Sequence, residues 1–251
     1  MADVPWYSDP ALWEDFRAIL FDDHRLRATG SEVEHVLART GLTSGAVLDL
    51  CCGPGRHSLE LARRGFDVTR VDITPAYLTD ARQLAAAEGL NAEFVEADVR
   101  EFRRPAAYDG AINMFSSFGY FEDLFDDRRV LANAAESLRP GGVLLVETLG
   151  KESVAANLRR RHWSEPAGRP GELFLLENRI VGAWERIEMH WIVVHADGSR
   201  SDARLNIRLY SALELGSLLR DAGFSTVDVY GDLEGRPYGP GATLLVAVAR
   251  K

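Results

Sequence analysis

The chain has 251 residues, of which 46% are hydrophobic, and carries a formal net charge of −9. That length suits one α/β domain with an elaboration and is ample for a sizeable core. The acidic balance argues against a nucleic-acid partner, which leaves a basic footprint, and no apolar run approaches the roughly 20 residues of a membrane span.

Pro10 to Phe21 places Leu12, Trp13, Phe16, Ile19 and Leu20 at helical spacing, with Ser8 or Asp9 as N-cap. Ser31-Glu-Val-Glu34 reads as a capping box that opens a second helix to about Thr40. Trp6 and Tyr7 precede both. Their π faces suit a cationic ligand group, and plain core packing accounts for them equally well.

Ala46 to Leu50 reads as a short buried strand, Cys51 to Gly55 as a Gly-rich turn, and Arg56 to Arg64 as a helix stopped by Gly65. Gly53 and Gly55 let the backbone turn sharply and approach a ligand, towards which the free N–H groups of the turn would face. Such a turn suits an adenosine-type cofactor. A dinucleotide fingerprint needs a third glycine, and Ser58 stands in its place. Cys51 and Cys52, the only cysteines, are adjacent and lack both disulfide and zinc spacing. No metal is expected, and the setting reads as reducing and cytoplasmic. The N-terminus has no basic-then-apolar leader pattern.

Strands and helices then alternate, which implies a parallel sheet covered on both faces. Strands are expected at Val68 to Asp72, Ala92 to Glu96, Gly110 to Phe115 and Val143 to Thr148. Between them, helices run from Pro75 to about Glu88 and from Asp123 to Leu138. Arg159-Arg-Arg161, the one compact basic run, reads as a solvated helix end. From 172 to 210 the pattern changes: Ile187, Met189, Trp191 and Val193 alternate with polar positions, and so do Ala203, Leu205, Ile207 and Leu209 after an Asp197-Gly198 turn. This is an antiparallel hairpin with one wet face. Ser211 caps a helix to Ala222, and strands near Thr226 to Tyr230 and Thr243 to Ala249 finish the sheet as its antiparallel edge.

Asp49 lies on the first strand, Asp72 ends the second and Asp98 follows the third, so three carboxylates converge where an open α/β sheet binds ligands. Val47-Leu-Asp-Leu-x-Cys-Gly-x-Gly55, Thr69-x-x-Asp72, Glu96-Ala-Asp98 and Leu138-Arg-Pro-Gly-Gly-Val-Leu-Leu-Val146 together resemble the class I S-adenosylmethionine-dependent methyltransferases. Phe115-Ser-Ser-Phe-Gly-Tyr-Phe121 resembles the loop after strand four in a small-molecule branch of that family. One departure is Cys51, where the family usually has glycine.

The resemblance implies a Rossmann-like fold: a mostly parallel seven-stranded sheet from residues 1–150 and 211–251, with residues 151–210 as an inserted β-rich lid for substrate binding or dimerisation. It implies S-adenosyl-L-methionine as cofactor. Asp72, with Ile73 beside it, is expected at the ribose, and Asp98 and Val99 at the adenine. Asp49, Cys51 and Gly53 are expected at the methionine end, with Asn113 and Phe115 alongside. Asp72 and Asp98 could instead merely cap a turn and a helix.

Groups able to orient or deprotonate an acceptor are Tyr7, Tyr120, His162, His190 and Tyr238, although a lone His on a strand is more often solvated or hydrogen-bonded. Arg204 and Arg208 on the hairpin's polar face could bind a carboxylate, but a solvated face is the favoured reading. The expected activity is methyl transfer to a small polar acceptor, and the exposed hairpin also allows a homodimer. The rivals are an NAD(P)-dependent oxidoreductase using the same turn and a cofactor-binding protein without turnover.

Overall fold

The computed structural model describes residues 5–239 and 241–251. Asp9 caps α1 (Pro10–Leu20) by accepting the Ala11 N–H at 3.0 Å, and Leu12 and Phe16 turn into the core. The next helix departs from expectation. Helix α2 runs from Asp23 to Thr40, capped by Asp22 at 2.8 Å from the Arg25 N–H, and passes through Gly30 and Ser31 without a break. Asp22 supplies the cap about two and a half turns earlier, and burial of Thr29, Val33 and Val36 along one face outweighs the roughly 1 kcal/mol that Gly30 costs in a helix interior.

The main sheet alternates β1 (Ala46–Leu50), α3 (Arg56–Arg63), β2 (Asp67–Asp72), α4 (Pro75–Ala87), β3 (Ala92–Glu96), β4 (Tyr108–Asn113), α5 (Leu124–Ser137) and β5 (Leu138–Thr148). Beyond the second sheet, α7 (Ala212–Asp221), β10 (Thr226–Tyr230) and β11 (Leu245–Arg250) complete it. Its order is β10-β11-β5-β4-β1-β2-β3. β11 runs antiparallel to both its neighbours, so the antiparallel strand lies inside the sheet and β10 is the edge. Burial explains the order: Leu245 to Ala249 is an unbroken buried apolar run, whereas Thr226 and Asp228 of β10 are exposed. β4 stops at Asn113 because Phe115 and Ser116 take φ of 61° and 58°, which no strand accommodates.

After a short helix, α6 (Lys151–Asn157), the chain builds a second sheet. The expected hairpin is its later half, β8 (Arg186–Val194) and β9 (Arg200–Arg208), preceded by β6 (Arg161–Ser164) and β7 (Leu173–Val181). The four strands lie antiparallel in chain order. The doublet Leu175-Leu176 blurs the two-residue period of β7, which hides it from a pattern reading. Val193, Ala203 and Leu205 bury against Leu12 and Phe16 of α1, so the N-terminal helix and the second sheet form one wall. No helix among the described residues is long and apolar enough to cross a membrane.

Candidate active site

A cavity of about 500 Å³ opens at the carboxyl ends of β1, β2 and β4, beneath the second sheet. Its floor is the turn after β1. Cys51 adopts φ 58°, the left-handed conformation that suits glycine, at a cost of about 1 kcal/mol for a residue with a Cβ. At Gly55, with φ 81°, a Cβ would stand 3.1 Å from the Cβ of Ala81. The close approach that demands glycine there is therefore to α4 rather than to a ligand.

The turn's amides are largely spent within the protein. Cys52 N–H donates to Val71 O (3.1 Å), Gly55 N–H to Cys52 O (3.0 Å) and Gly53 N–H to an Asp72 carboxylate oxygen (2.7 Å). This corrects the expectation of free N–H groups facing a ligand, and it bears on chemistry. A pyrophosphate needs such amides, whereas this floor presents carboxylates, which suit a cation.

Asp49, Asp72 and Asp98 all line the cavity. Asp49 is 2% exposed and its Oδ2 has no partner among the described residues, so burial pushes its carboxyl up to about 7. Asp72 accepts the Gly53 and Thr74 amides, the latter at 2.8 Å, and burial raises it too. Burial alone would also raise Asp98, but the Arg100 guanidinium, 2.6 Å from its Oδ2, takes it below the usual range. Cys51, Gly53, Ile73, Val99 and Phe115 line the same space. Asn113 does not: its amide donates to Leu50 O at 3.1 Å and ties β4 to β1 behind the wall.

Sequence reasoning missed a charged cluster at the same end. Arg25 and Glu32 of α2, Arg56 and His57 at the start of α3, and Glu147 of β5 all reach the cavity. Glu32 accepts from Arg56 and, at 2.9 Å, meets His57 Nε2. Burial opposes ionisation, but these partners draw Glu32 down to about 2. The Arg25 and Arg56 guanidinium carbons stand 4.6 and 5.2 Å from the Phe115 ring centroid. Burial, reinforced by the Glu32 charge, lifts Glu147 to about 7. Arg56 and His57 directly follow the Gly turn, which was the available signal.

The other end is apolar. Met189, Trp191, Leu205 and Ile207 of the second sheet face Tyr7, Trp13, Phe21, Tyr77, Tyr120 and Phe121. Tyr120 lies at the centre of the aromatic group, 4.5 Å from Trp6, 6.4 Å from Tyr7 and 6.4 Å from Trp13 between ring centroids. Trp6 itself is packing behind that wall. Burial raises the phenols of Tyr7, Tyr77 and Tyr120 above their usual value, so all three are neutral at pH 7.

Buried arginines of the second sheet hold the loop that carries Tyr120. Arg186 donates to Phe121 O (2.8 Å) and Arg208 to Glu122 O (2.5 Å), while Arg208 N–H donates to Gly119 O (2.7 Å). Arg208 also pairs with Asp127 and Glu185. It is thus a buried structural group rather than a ligand for a substrate carboxylate.

The remaining candidates lie elsewhere, because the sheet's polar face turns away from the cavity. His190 packs beside Asp202 (3.3 Å) and Glu177 on the outer face, which Arg204 shares. His162 is exposed on β6, and Tyr238 donates to Glu152. Of the five proposed orienting groups, the cavity brings together Tyr7 and Tyr120.

The family described as "Methyltransferase domain" matches residues 47–142. The dTDP-3-amino-3,4,6-trideoxy-alpha-D-glucopyranose N,N-dimethyltransferase of Streptomyces venezuelae is 25% identical over 225 residues, taking in 85% of this chain and 88% of the relative. The ubiquinone biosynthesis O-methyltransferase of Histophilus somni is 31% identical over 55% of this chain, which spans 56% of that protein's length. A solved S-adenosylmethionine-dependent methyltransferase from Clostridium acetobutylicum has the same fold, with a TM-score of 0.79, 15% identity and coverage of 96% of this chain and 97% of its own.

Proposed function

We propose, for a chain that belongs to the class I S-adenosylmethionine-dependent methyltransferases, that its acceptor is a small molecule whose polar reacting atom is carried on an apolar, ring-sized body. The observation that carries this reading is the continuity of one cavity, from the carboxylate floor to the aromatic chamber under the second sheet.

The chain's residues fit the cofactor. Asp72, with Ile73, would take the ribose hydroxyls, and Asp98 and Val99 the adenine. The unpartnered oxygen of Asp49 suits the ammonium, beside Cys51 and Gly53. Arg25 and Arg56 suit the carboxylate, over the Phe115 ring. When bound, S-adenosylmethionine supplies a methyl group already activated by its sulfonium.

The protein's remaining task is to align the acceptor and exclude water. Met189, Trp191, Leu205 and Ile207 close the chamber as a lid and hold an apolar body there. Tyr7 and Tyr120, neutral at pH 7, can accept an N–H or O–H from the acceptor and orient it, but they are poor bases. An acceptor whose lone pair is free near neutrality, a weakly basic aryl amine or an acidic phenol, matches that limit. The relative named above is named for a dTDP-linked sugar. Here the guanidiniums on the cavity wall stand at the cofactor end, which leaves a diphosphate without a cation among the described residues of the chamber. The free thiols of Cys51 and Cys52 support a reducing, cytoplasmic setting.

The test is calorimetry with S-adenosylhomocysteine, followed by transfer of a labelled methyl group to a panel of aryl amines, phenols and dTDP-amino sugars. Binding with turnover of the ring-bearing compounds is expected. Turnover of the sugar nucleotides alone would overturn the acceptor assignment.

A further inference from the structure

Arg70 is wholly buried in the middle of β2, and the methyl-transfer chemistry gives it no part. Its guanidinium donates through Nε to Ser58 Oγ (2.9 Å), through Nη2 to Ser58 O (2.8 Å) and through Nη1 to Val68 O (3.4 Å), with its carbon 4.8 Å from the Phe94 ring centroid. Among the described residues, no carboxylate lies within ion-pair distance of it. Burying a charge in that way costs several kcal/mol, and an apolar side chain would fill the same volume without the cost.

The strand register points to what the charge does. Arg70 is the in-register partner of Asp49 on the adjacent parallel strand, so the two side chains leave the same face of the sheet at neighbouring positions. Ser58, in the first turn of α3, lies over that face and is gripped twice by Arg70. On the other side of Asp49 the partner strand offers Ile112, which carries no charge.

We propose that Arg70, acting with Ser58, is a positioning residue for Asp49: a buried counter-charge that favours the ionised form of the Asp49 carboxyl and so makes it available to a cationic ligand. The proposal rests on the reading that Asp49 meets the cofactor's ammonium. The groups that act on Asp49 are Ser58 and Arg56 of α3 with Arg70 and Asp72 of β2. Burial raises it most, Ser58, Arg70 and Arg56 lower it, and Asp72 raises it. Coupling in the other direction is present too, since Asp49 offsets the drop that burial imposes on Arg70. With Arg70 in place the carboxyl titrates near about 7 and is partly ionised at neutrality. Without Arg70 its midpoint rises further, so the carboxyl is mostly protonated there and loses its attraction for a cation.

The experiment is calorimetric titration of the full chain with S-adenosylhomocysteine between pH 5.5 and 8. Wild type is expected to lose affinity as pH falls through about 7. Arg70→Met should bind about fivefold more weakly at pH 7, with its midpoint about one unit higher. Adding Asp49→Asn to Arg70→Met should cause little further loss. If Arg70→Met does not fold, Ser58→Ala, which leaves the guanidinium in place, should move the midpoint the same way by a smaller amount. A merely structural role for Arg70 weakens binding equally at every pH, and a folded variant with an unshifted midpoint overturns the proposal. A wild type that binds at no pH overturns the cofactor reading, and the role of Asp49 with it.

Discussion

The two ends of the cavity are built on opposite principles. The proposed cofactor end is polar and stands on the tips of adjacent parallel strands, with Asp49, Asp72 and Asp98 held by a buried sheet. The proposed acceptor end is apolar and is assembled from α1, the loop after β4 and the second sheet, which meet mainly through side-chain packing, a few guanidinium-to-carbonyl bonds and the backbone bond from Arg208 to Gly119. A general donor needs a fixed socket, and a particular acceptor needs a wall whose parts can vary independently. If that division holds, substitutions at one end should leave the other end's readouts unmoved.

The largest effect is expected from Asp72→Ala. It removes a carboxylate that accepts two backbone amides and, in the proposed reading, the ribose hydroxyls. Affinity for S-adenosylhomocysteine should fall about 100-fold, the loss of two charge-assisted hydrogen bonds. Amide exchange in residues 119–122 should stay at the wild-type rate. A loss below about threefold would take Asp72 out of the cofactor contact. Arg186→Met is the converse test. It leaves Phe121 O and Asn206 Oδ1 without their donor, so amide exchange of residues 119–122 should accelerate about tenfold, at a cost of roughly 1–3 kcal/mol. Affinity for S-adenosylhomocysteine should stay within about twofold of wild type. A parallel collapse of cofactor binding would mean that the two ends are one cooperative unit.

The same division governs what the sequence discloses. The strand, turn and helix of residues 46–64 and the carboxylates at 49, 72 and 98 were legible because each lies within a contiguous pattern of strand, turn and chain spacing. The chamber wall was not. Trp13, Tyr77, Trp191 and Leu205 sit at ordinary apolar positions of four elements, and only tertiary packing turns them towards one space. His190 and Arg204 lie on the outer face, in keeping with the solvated, hydrogen-bonded reading of that face rather than with a substrate role, and alternation alone does not say which face of a strand the cavity takes. The amides of the turn were misassigned for a related reason: local sequence shows that they exist, and only the fold shows that Val71, Cys52 and Asp72 already use them. At Ser31 a local signal lost outright to the burial of a helix face that begins eight residues earlier.

The smallest predicted effect sharpens the comparison from the side of stability. Glu147 is buried at the cofactor end, and its carboxyl is lifted to about 7, above the ordinary carboxylate value it has when unfolded. Between about pH 4 and 7 the folded chain therefore holds a proton that the unfolded chain has released, so stability falls as pH rises through that window. Above pH 7 the penalty is complete, and below about pH 4 it vanishes. Glu147→Gln keeps the shape and removes the ionisation, so it should raise the Tm of the ligand-free protein by about 5 °C at pH 8 and hardly at all at pH 5. Scanning calorimetry at the two values decides it. A gain of equal size at both would place the effect in packing rather than in charge. Trp191→Phe, in the apolar wall, gives the reference, because no titrating group is touched and its Tm change should be the same at both pH values. A pH-dependent gain confined to Glu147 would mean that the socket is held ready for its ligand at the expense of the empty fold, while the chamber carries no such cost.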